Sequence, residues 1–428
     1  MATAASVNNS NQLVIYNGLQ VVDTVGLSGS YTNISFATRS DGKGGTFITQ
    51  QTAPTSGNVA NFLTNVSIIG SNSYTITDTS TNIVANLTTL QTNLAKIASI
   101  IQSNFPVALL VTAAQSSANN GVLAKIAGDY NLTVTGTSAV ETLYDTVNSH
   151  AAFTGGAGID TFMVTGTDTI TDLGNGGADV LKVSASAIVN ATVTAAWTAT
   201  ATTTNSGTAN LTTNGLAVNL ALVTTGTNGY KVTNTGVATT LTGSALADTL
   251  IGGTGADSLL GGAGADIVNG GKGQDNLTGG AGRDTFIFAA GDDGITAATL
   301  DKILDYAKGA VGTGDLIDYS ANLTKGGNAN TATASQASIN STTGIATFAS
   351  GSGTTLADAL NDIAARFTAA TNTAGEFAFF KVNGSGDYYL FISDGTAGAA
   401  ANDDVIQLVG ITSIGTIDLT GGNLTITG

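Results

Sequence analysis

The chain has 428 residues, 42% of them apolar, and carries 29 acidic side chains against 13 basic ones, a formal net charge of −16. That length accommodates two to four domains, and the acidic balance excludes a nucleic-acid partner, which needs a basic footprint. There is no cysteine, so disulfides, thiolate chemistry and Cys-ligated metals are excluded. Only two acids are Glu, Glu141 and Glu376; the other 27 are Asp. Asp favours turns and Glu favours helix surfaces, so the chain reads as mainly β with many turns. No run approaches the roughly 18 apolar residues of a transmembrane helix. The start, MATAASVNNSNQ, lacks the basic region and apolar core of a signal peptide.

Residues 1–70 read as an N-terminal β unit. Strands are predicted around Leu13–Tyr16, Val21–Val25, Ile34–Phe36 and Thr46–Thr49, with a hairpin turn at Asp41-Gly42-Lys43-Gly44-Gly45. The first ten residues are expected to be mobile unless they pair with another subunit. Residues 71–135 read as strand–helix coils of a solenoid. Ile83, Leu87, Leu90 and Leu94 have helical spacing, and the string LAKIA recurs at Leu94–Ala98 and Leu123–Ala127 with a 29-residue period. Two ordinary amphipathic helices are the plainer reading of the same residues.

Residues 136–240 combine a degenerate repeat block with a Thr-rich β region. Gly155-Gly156-Ala157-Gly158-Ile159-Asp160 is a glycine loop closed by an acid, and Gly176-Gly177-Ala178-Asp179 is a partial one. Thr135-Gly136-Thr137-Ser138-Ala139-Val140-Glu141-Thr142-Leu143 parallels Thr242-Gly243-Ser244-Ala245-Leu246-Ala247-Asp248-Thr249-Leu250. Asp160 and Asp179 are candidate ligands of weaker metal sites, with a metal-free coil the alternative. Beyond them, Leu216, Val218, Leu220 and Leu222 alternate as a strand with one apolar face, and Trp197 reads as a core anchor.

Residues 241–290 carry the strongest signal. Asp248, Asp257, Asp266, Asp275 and Asp284 recur every nine positions, each followed two residues later by Leu250, Leu259, Val268, Leu277 or Phe286. Each of the last four Asp is preceded by a G-G-x-G loop: Gly252, Gly253 and Gly255; Gly261, Gly262 and Gly264; Gly270, Gly271 and Gly273; Gly279, Gly280 and Gly282. This is the G-G-x-G-x-D-x-U-x nonapeptide of parallel β-rolls. Two nonapeptides make one coil of about eighteen residues, with very short, three-residue strands. Stacking then places residues eighteen apart about 4.8 Å from one another. So Asp248 lies over Asp266, Asp266 over Asp284, and Asp257 over Asp275. Two like charges at about 5 Å repel by roughly 3 kcal/mol at an effective dielectric near 20. A hard divalent cation reverses that sign, because Ca²⁺ takes six to eight oxygens from carboxylates and backbone carbonyls. At least three calcium sites follow, one for each Asp pair, with folding coupled to the metal.

These repeats resemble the RTX (repeats-in-toxin) family of type I secreted proteins. The resemblance implies a parallel β-roll or β-solenoid fold with Ca²⁺ as cofactor. It also implies export through type I secretion machinery, without an N-terminal signal peptide, to the extracellular space or bacterial cell surface. Residues 291–428 then read as a β-rich C-terminal secretion domain. Asp301-Lys302-Ile303-Leu304-Asp305-Tyr306 and Asp315-Leu316-Ile317-Asp318-Tyr319 echo Ile170-Thr171-Asp172-Leu173 and Asp179-Val180-Leu181. Such a segment commonly follows RTX rolls. A helix is predicted over Leu356–Phe367, and strands over Phe377–Val382, Tyr388–Ser393 and Val405–Val409. The end, ITSIGTIDLTGGNLTITG, is similar to a type I secretion signal.

No catalytic set is legible. His150 is the only histidine, no G-x-S-x-G occurs, and the glycine loops lack the Lys and the helix of a phosphate loop. The chain is therefore read as non-enzymatic. The leading expectation, resting on the resemblance to RTX surface-layer proteins, is a secreted structural protein. It would self-assemble as a homo-oligomer into a surface layer, sheath or filament, with cell-surface polysaccharide as a further partner. The alternative is an RTX adhesin or biofilm-matrix protein that binds glycan or other surfaces.

Overall fold

The computed structural model describes residues 4–7, 12–17, 20–26, 34–40, 46–292, 294–309, 312–325, 337–340, 342–348, 353–367, 374–382, 384–396, 399, 402–419 and 423–427. They form two compact units, one of residues 1–134 and 144–151, the other of residues 135–143 and 152–428.

The first unit begins with a five-stranded antiparallel sheet. Its order is Gln20–Gly26, Gln12–Asn17, Ala4–Val7, Ile34–Ser40, Thr46–Thr52. The expectation of a loose N-terminus is corrected for Ala4–Val7, which pair with Leu13–Tyr16 of the same sheet. The turn expected at 41–45 lies outside the described residues. Strand–helix coils follow. Tyr74–Asp78 pairs in parallel with Ser56–Gly57 and with Ile97–Gln102.

The helix expected around 82–94 is broken in two, Ser80–Ala85 and Leu87–Thr92. Asn86 lies between them at φ −117°, ψ 10°, off the helical region, and its side chain donates back to the Asn82 carbonyl at 2.9 Å. Ile83, Leu87 and Leu90 still face the core. Asp78 fixes the start of this helix pair by accepting the Thr79 N–H and the Asn82 side-chain amide. The two LAKIA strings occupy equivalent places, where a helix hands over to extended chain. Ile97 opens a strand, and Ile126 bridges in parallel to Ile100.

The second unit is a succession of short parallel strands wound into a solenoid, followed by a small antiparallel sheet. One ladder runs through Thr167–Leu173, Ile188–Val193, Thr208–Thr213, Tyr230–Asn234, Thr249–Thr254, Ile267–Lys272, Thr285–Phe288 and Leu316–Tyr319. A second runs through Trp197–Thr198, Val218–Asn219, Thr240–Thr242, Ser258–Ala263, Asn276–Ala281 and Asp301–Ile303.

The coil length is set by the register. Thr169 pairs with Asn190, Asn190 with Asn210 and Asn210 with Lys231, steps of 21, 20 and 21 residues. Lys231 to Thr249, Thr249 to Ile267 and Ile267 to Thr285 are steps of 18. The change coincides with the onset of the nonapeptides. Leu250, Val268 and Phe286 stack on one inner wall, and Leu241, Leu259, Leu277 and Ile303 on the other, all buried. Four strands of the roll, Thr249–Thr254, Ser258–Ala263, Ile267–Lys272 and Asn276–Ala281, are six residues long rather than three, because pairing continues through the glycine pair, Gly253 to Gly271 and Gly262 to Gly280.

In the Thr-rich coils, Trp197 is buried and its Nε1–H donates to the Asp179 carbonyl at 3.0 Å. The alternation expected over 216–222 fails at its end. The chain turns after Leu220, with Val223 N–H donating to the Leu220 carbonyl, so Val223 is buried and Leu222 is exposed.

In the C-terminal part, Glu376–Phe380, Tyr388–Ile392 and Asp404–Leu408 form an antiparallel sheet that continues the second ladder by parallel pairing of Asp404–Leu408 with Asp301–Ile303. The helix Leu356–Ala364 begins at Thr355, whose side chain accepts the Asp358 N–H, and packs Leu360 and Ile363 against Ala378, Phe380 and Phe391. Among the described residues no helix is long and apolar enough to cross a membrane.

Candidate metal centre

The Asp ladder is built from the backbone outward. Register eighteen places each Asp N–H under the carboxylate of the Asp one coil on. Asp248 N–H donates to Asp266 Oδ1 at 2.8 Å, Asp257 to Asp275 Oδ1 at 2.7 Å, and Asp266 to Asp284 Oδ1 at 2.9 Å. Each of these carboxylates is thus fixed through Oδ1, and its second oxygen lies over the glycine that opens its own loop. Oδ2 of Asp257, Asp266, Asp275 and Asp284 is buried and has no hydrogen-bond partner among the described residues. A buried, unpartnered carboxylate oxygen is costly unless a ligand completes it.

The glycines make that approach available. A Cβ placed on Gly261 would stand 2.5 Å from Asp266 Oδ2 and 2.5 Å from the Gly279 carbonyl oxygen. Gly264 has φ +127°, a conformation that side-chain-bearing residues rarely adopt, and its carbonyl oxygen points at Gly282 one coil on. Gly252, Gly270 and Gly279 likewise face Oδ2 of Asp257, Asp275 and Asp284. Gly253, Gly255, Gly262, Gly271, Gly273, Gly280 and Gly282 supply the left-handed backbone of the loops.

Each loop therefore offers one carboxylate oxygen and a set of stacked carbonyls, with no imidazole or thiolate donor in the glycine loops. Among the described residues no three His, Cys, Asp or Glu side chains converge, so an acid cage is absent and carbonyls must supply most of the donors. A hard, flexible, high-coordination cation fits that set. Mg²⁺, which keeps several waters in a strict octahedron, fits it less well.

Electrostatics agrees. Burial pushes the Asp266 carboxyl up to about 7, helped by the like charges of Asp248 and Asp284 on either side and opposed by the Asp248 N–H. Burial lifts Asp257, Asp275 and Asp284 to about 6. Without a cation this ladder favours protons in place of metal charge.

The ends of the ladder differ from its middle. Asp248 has both oxygens engaged: Oδ1 accepts the Tyr230 N–H at 2.6 Å, and Oδ2 accepts the Ser244 N–H and the Ser244 hydroxyl. At the other end the ladder outruns the nine-residue period. Asp301 Oδ1 accepts the Asp275 N–H at 2.7 Å, and Asp315 Oδ1 accepts the Asp284 N–H at 2.9 Å. Asp315 Oδ2 then takes the Ala307 N–H. Asp305 accepts the N–H groups of Gly279 and Gly280 at 2.9 and 2.8 Å. Sequence reasoning finds the Asp301 and Asp315 segments as echoes but misses their place in the ladder. The signal is present, since each keeps an apolar residue two positions on, Ile303 and Ile317. The insertions of eight and thirteen residues hide it.

Residues 136–183 repeat this plan in short form. Glu141 accepts the Thr137 N–H and hydroxyl, as Asp248 does with Ser244. Asp160 Oδ1 accepts the Glu141 N–H at 2.9 Å, and its buried Oδ2 has no partner among the described residues. Asp179 takes the Asp160 N–H on Oδ1 and the Gly174 N–H on Oδ2, both at 2.8 Å. Asp172 grips the N–H groups of Gly155 and Gly156 at 2.9 and 2.8 Å. Burial raises Asp160, and it pushes Asp179 up to about 6. His150, the single histidine, lies within this stretch on the strand Ser149–Thr154 and is exposed.

The RTX calcium-binding nonapeptide repeat family matches residues 242–277 and 266–295, in four copies. A search among curated proteins returned no match. The matched repeats bind Ca²⁺ and fall on the loops that carry the unpartnered carboxylate oxygens.

Proposed function

We propose that this RTX-type calcium-binding chain is a secreted, non-enzymatic structural protein that folds on calcium and self-assembles into a bacterial surface layer, sheath or filament. The observation that carries the calcium step is the row of buried, unpartnered Oδ2 atoms at Asp257, Asp266, Asp275 and Asp284. In the proposal these four supply the carboxylate donors, and the loop glycines from Gly252 to Gly282 supply the carbonyls. Asp248 closes the first coil.

Export follows from the same chemistry. Where calcium is scarce the ladder repels itself and the segment stays unfolded, the state a secretion channel can thread. Outside, each independent site at a hundredfold excess over Kd adds about 2.7 kcal/mol to the native state. Three Ca²⁺ ions bring the formal charge from −16 to −10, which lowers the repulsion between copies. A 10% charged fraction and exposed uncharged residues such as Thr224, Thr225, Thr227 and Asn228 support packing of one copy against another.

A second reading, an adhesin for neutral glycans, is favoured by one feature. Thr169, Asn190, Asn210 and Lys231 form a row across adjacent strands, parallel to a row of Thr192, Thr212 and Thr233. Negative-stain microscopy of the purified chain with and without millimolar calcium separates the two. Sheets or filaments only with calcium support assembly. Folded monomers at every protein concentration reject it and direct attention to glycan binding.

A further inference from the structure

The five-stranded sheet of the first unit has two edges of equal length. Gln20–Gly26 pairs only with Gln12–Asn17, and Thr46–Thr52 only with Ile34–Ser40, among the described residues. A strand at a sheet edge presents a row of backbone donors and acceptors to whatever strand arrives. Natural proteins blunt such edges with Lys, Pro or short strands. Neither edge here has a Lys, a Pro or a short strand, and the one irregularity is at Val22, where the pairing of Gln20–Gly26 with Gln12–Asn17 shifts register. The sequences are QVVDTVG and TFITQQT, seven residues each, with one charge between them. Residues 20–25 are exposed throughout, with Val21 at 56% and Val22 at 54%, and on the other edge Phe47 is 54% exposed. The one acid, Asp23, is folded back on its own strand, where Oδ1 accepts the Thr24 N–H at 2.7 Å.

We infer that the Gln20–Gly26 edge of one copy pairs with the Thr46–Thr52 edge of the next, so that this sheet is the head-to-tail junction of the assembly. The inference rests on the self-assembly reading above and specifies its surface. Charge selects the pairing. Asp23 is the central residue of Gln20–Gly26, so a two-fold pairing of that edge with itself would set Asp23 opposite Asp23, and like charges directly opposite destabilise a strand pair. Against Thr46–Thr52 the same carboxylate meets an uncharged strand. All four pairings inside the sheet are antiparallel, so the two edge strands point the same way. Continuing the sheet from one copy into the next therefore makes a parallel junction. A junction between unlike edges is heterologous, and unless its rotation closes a ring it propagates as a filament.

The test uses the full chain in millimolar calcium, read by light scattering after size exclusion and by negative-stain microscopy. Val22→Lys blocks one edge and Phe47→Lys the other, both at exposed positions. The expected result is polymer for the parent chain and monomer for each variant alone. An equimolar mixture of the two variants forms dimers and stops there, since each supplies the one edge the other lacks. That complementation also shows that both variants are folded. Variants that polymerise like the parent overturn the inference while leaving self-assembly standing. A single variant that dimerises by itself overturns it in favour of like-edge pairing, and so does a mixture that gives no dimers. A parent chain that stays monomeric overturns the assembly reading, and this junction with it.

Discussion

Residues 136–183 and 242–318 use one plan at two lengths. Each opens with an acid that accepts the N–H of the residue four positions back, Glu141 from Thr137 and Asp248 from Ser244. Each closes with a carboxylate that holds two glycine N–H groups, Asp172 and Asp305, and with an acid saturated by backbone donors, Asp179 and Asp315. In the glycine loops between these ends, the short block has one buried carboxylate oxygen without a hydrogen-bond partner among the described residues, on Asp160, and the long block has four. The ends are therefore self-sufficient and the middle is not. A glycine-rich coil can be finished either by a carboxylate that stands in for the next strand or by a cation. If calcium completes the open oxygens as proposed, the number of loops between the two ends sets how strongly the block depends on metal.

Calcium removal is expected to widen the difference most. With three sites at a hundredfold excess over Kd, chelation lowers stability by about 8 kcal/mol, three times the single-site value, and this loss falls on residues 249–288. Urea denaturation with calcium and with chelator measures it. Next comes Asp266→Ala, which removes an oxygen from two coil-to-coil contacts and leaves the Asp248 N–H without its acceptor. It is expected to lower the calcium-bound stability by about 3 kcal/mol or more. Asp160→Ala is expected to do less, and its shift should be nearly the same with and without calcium. Equal losses from Asp266→Ala and Asp248→Ala would count against the stacked ladder.

The closing carboxylates give a calcium-independent effect. Asp305→Ala and Asp172→Ala each strand two glycine N–H groups, at a cost of about 2 kcal/mol. That cost should be equal in chelator and in calcium, as read by denaturation midpoints. The smallest expected effect is on pH. Asp257, Asp266, Asp275 and Asp284 are held at about 6 to 7 by burial, above the unfolded carboxylate range near 4. The metal-free fold binds more protons than the unfolded chain in that window. The contribution of these four groups to its stability is fullest below pH 4 and is lost as pH rises through 6 to 7. Calcium displaces those protons, so affinity should tighten by up to about tenfold per pH unit for each proton released. Titration calorimetry between pH 5.5 and 8 measures it, and a flat profile would contradict the buried-carboxylate account.

The roll is legible in the sequence because its information is periodic. Nine-residue spacing and one apolar residue per repeat are enough to fix the coil, the inner wall and the Asp register. What stays hidden is whatever breaks the period. Asp301 and Asp315 sit in the ladder, but insertions separate them from it. Asp305 and Asp172 act through their side chains on backbone N–H groups of a neighbouring coil, a contact that no local pattern reports. Asn86 splits a helix that the Ile83, Leu87, Leu90 spacing carries across it, because apolar periodicity records which face is buried and not where the backbone breaks. At Leu222 the alternation continues in sequence while the chain has already turned.

Hydrogen exchange read by mass spectrometry, on the same chain in calcium and in chelator, decides whether the glycine-loop ladder is the part of the coil that calcium holds. Amides of 249–288 are expected to lose their protection when calcium is removed, while those of 161–183 keep most of theirs. Equal loss in both blocks, or full protection of 249–288 in chelator, would contradict that expectation.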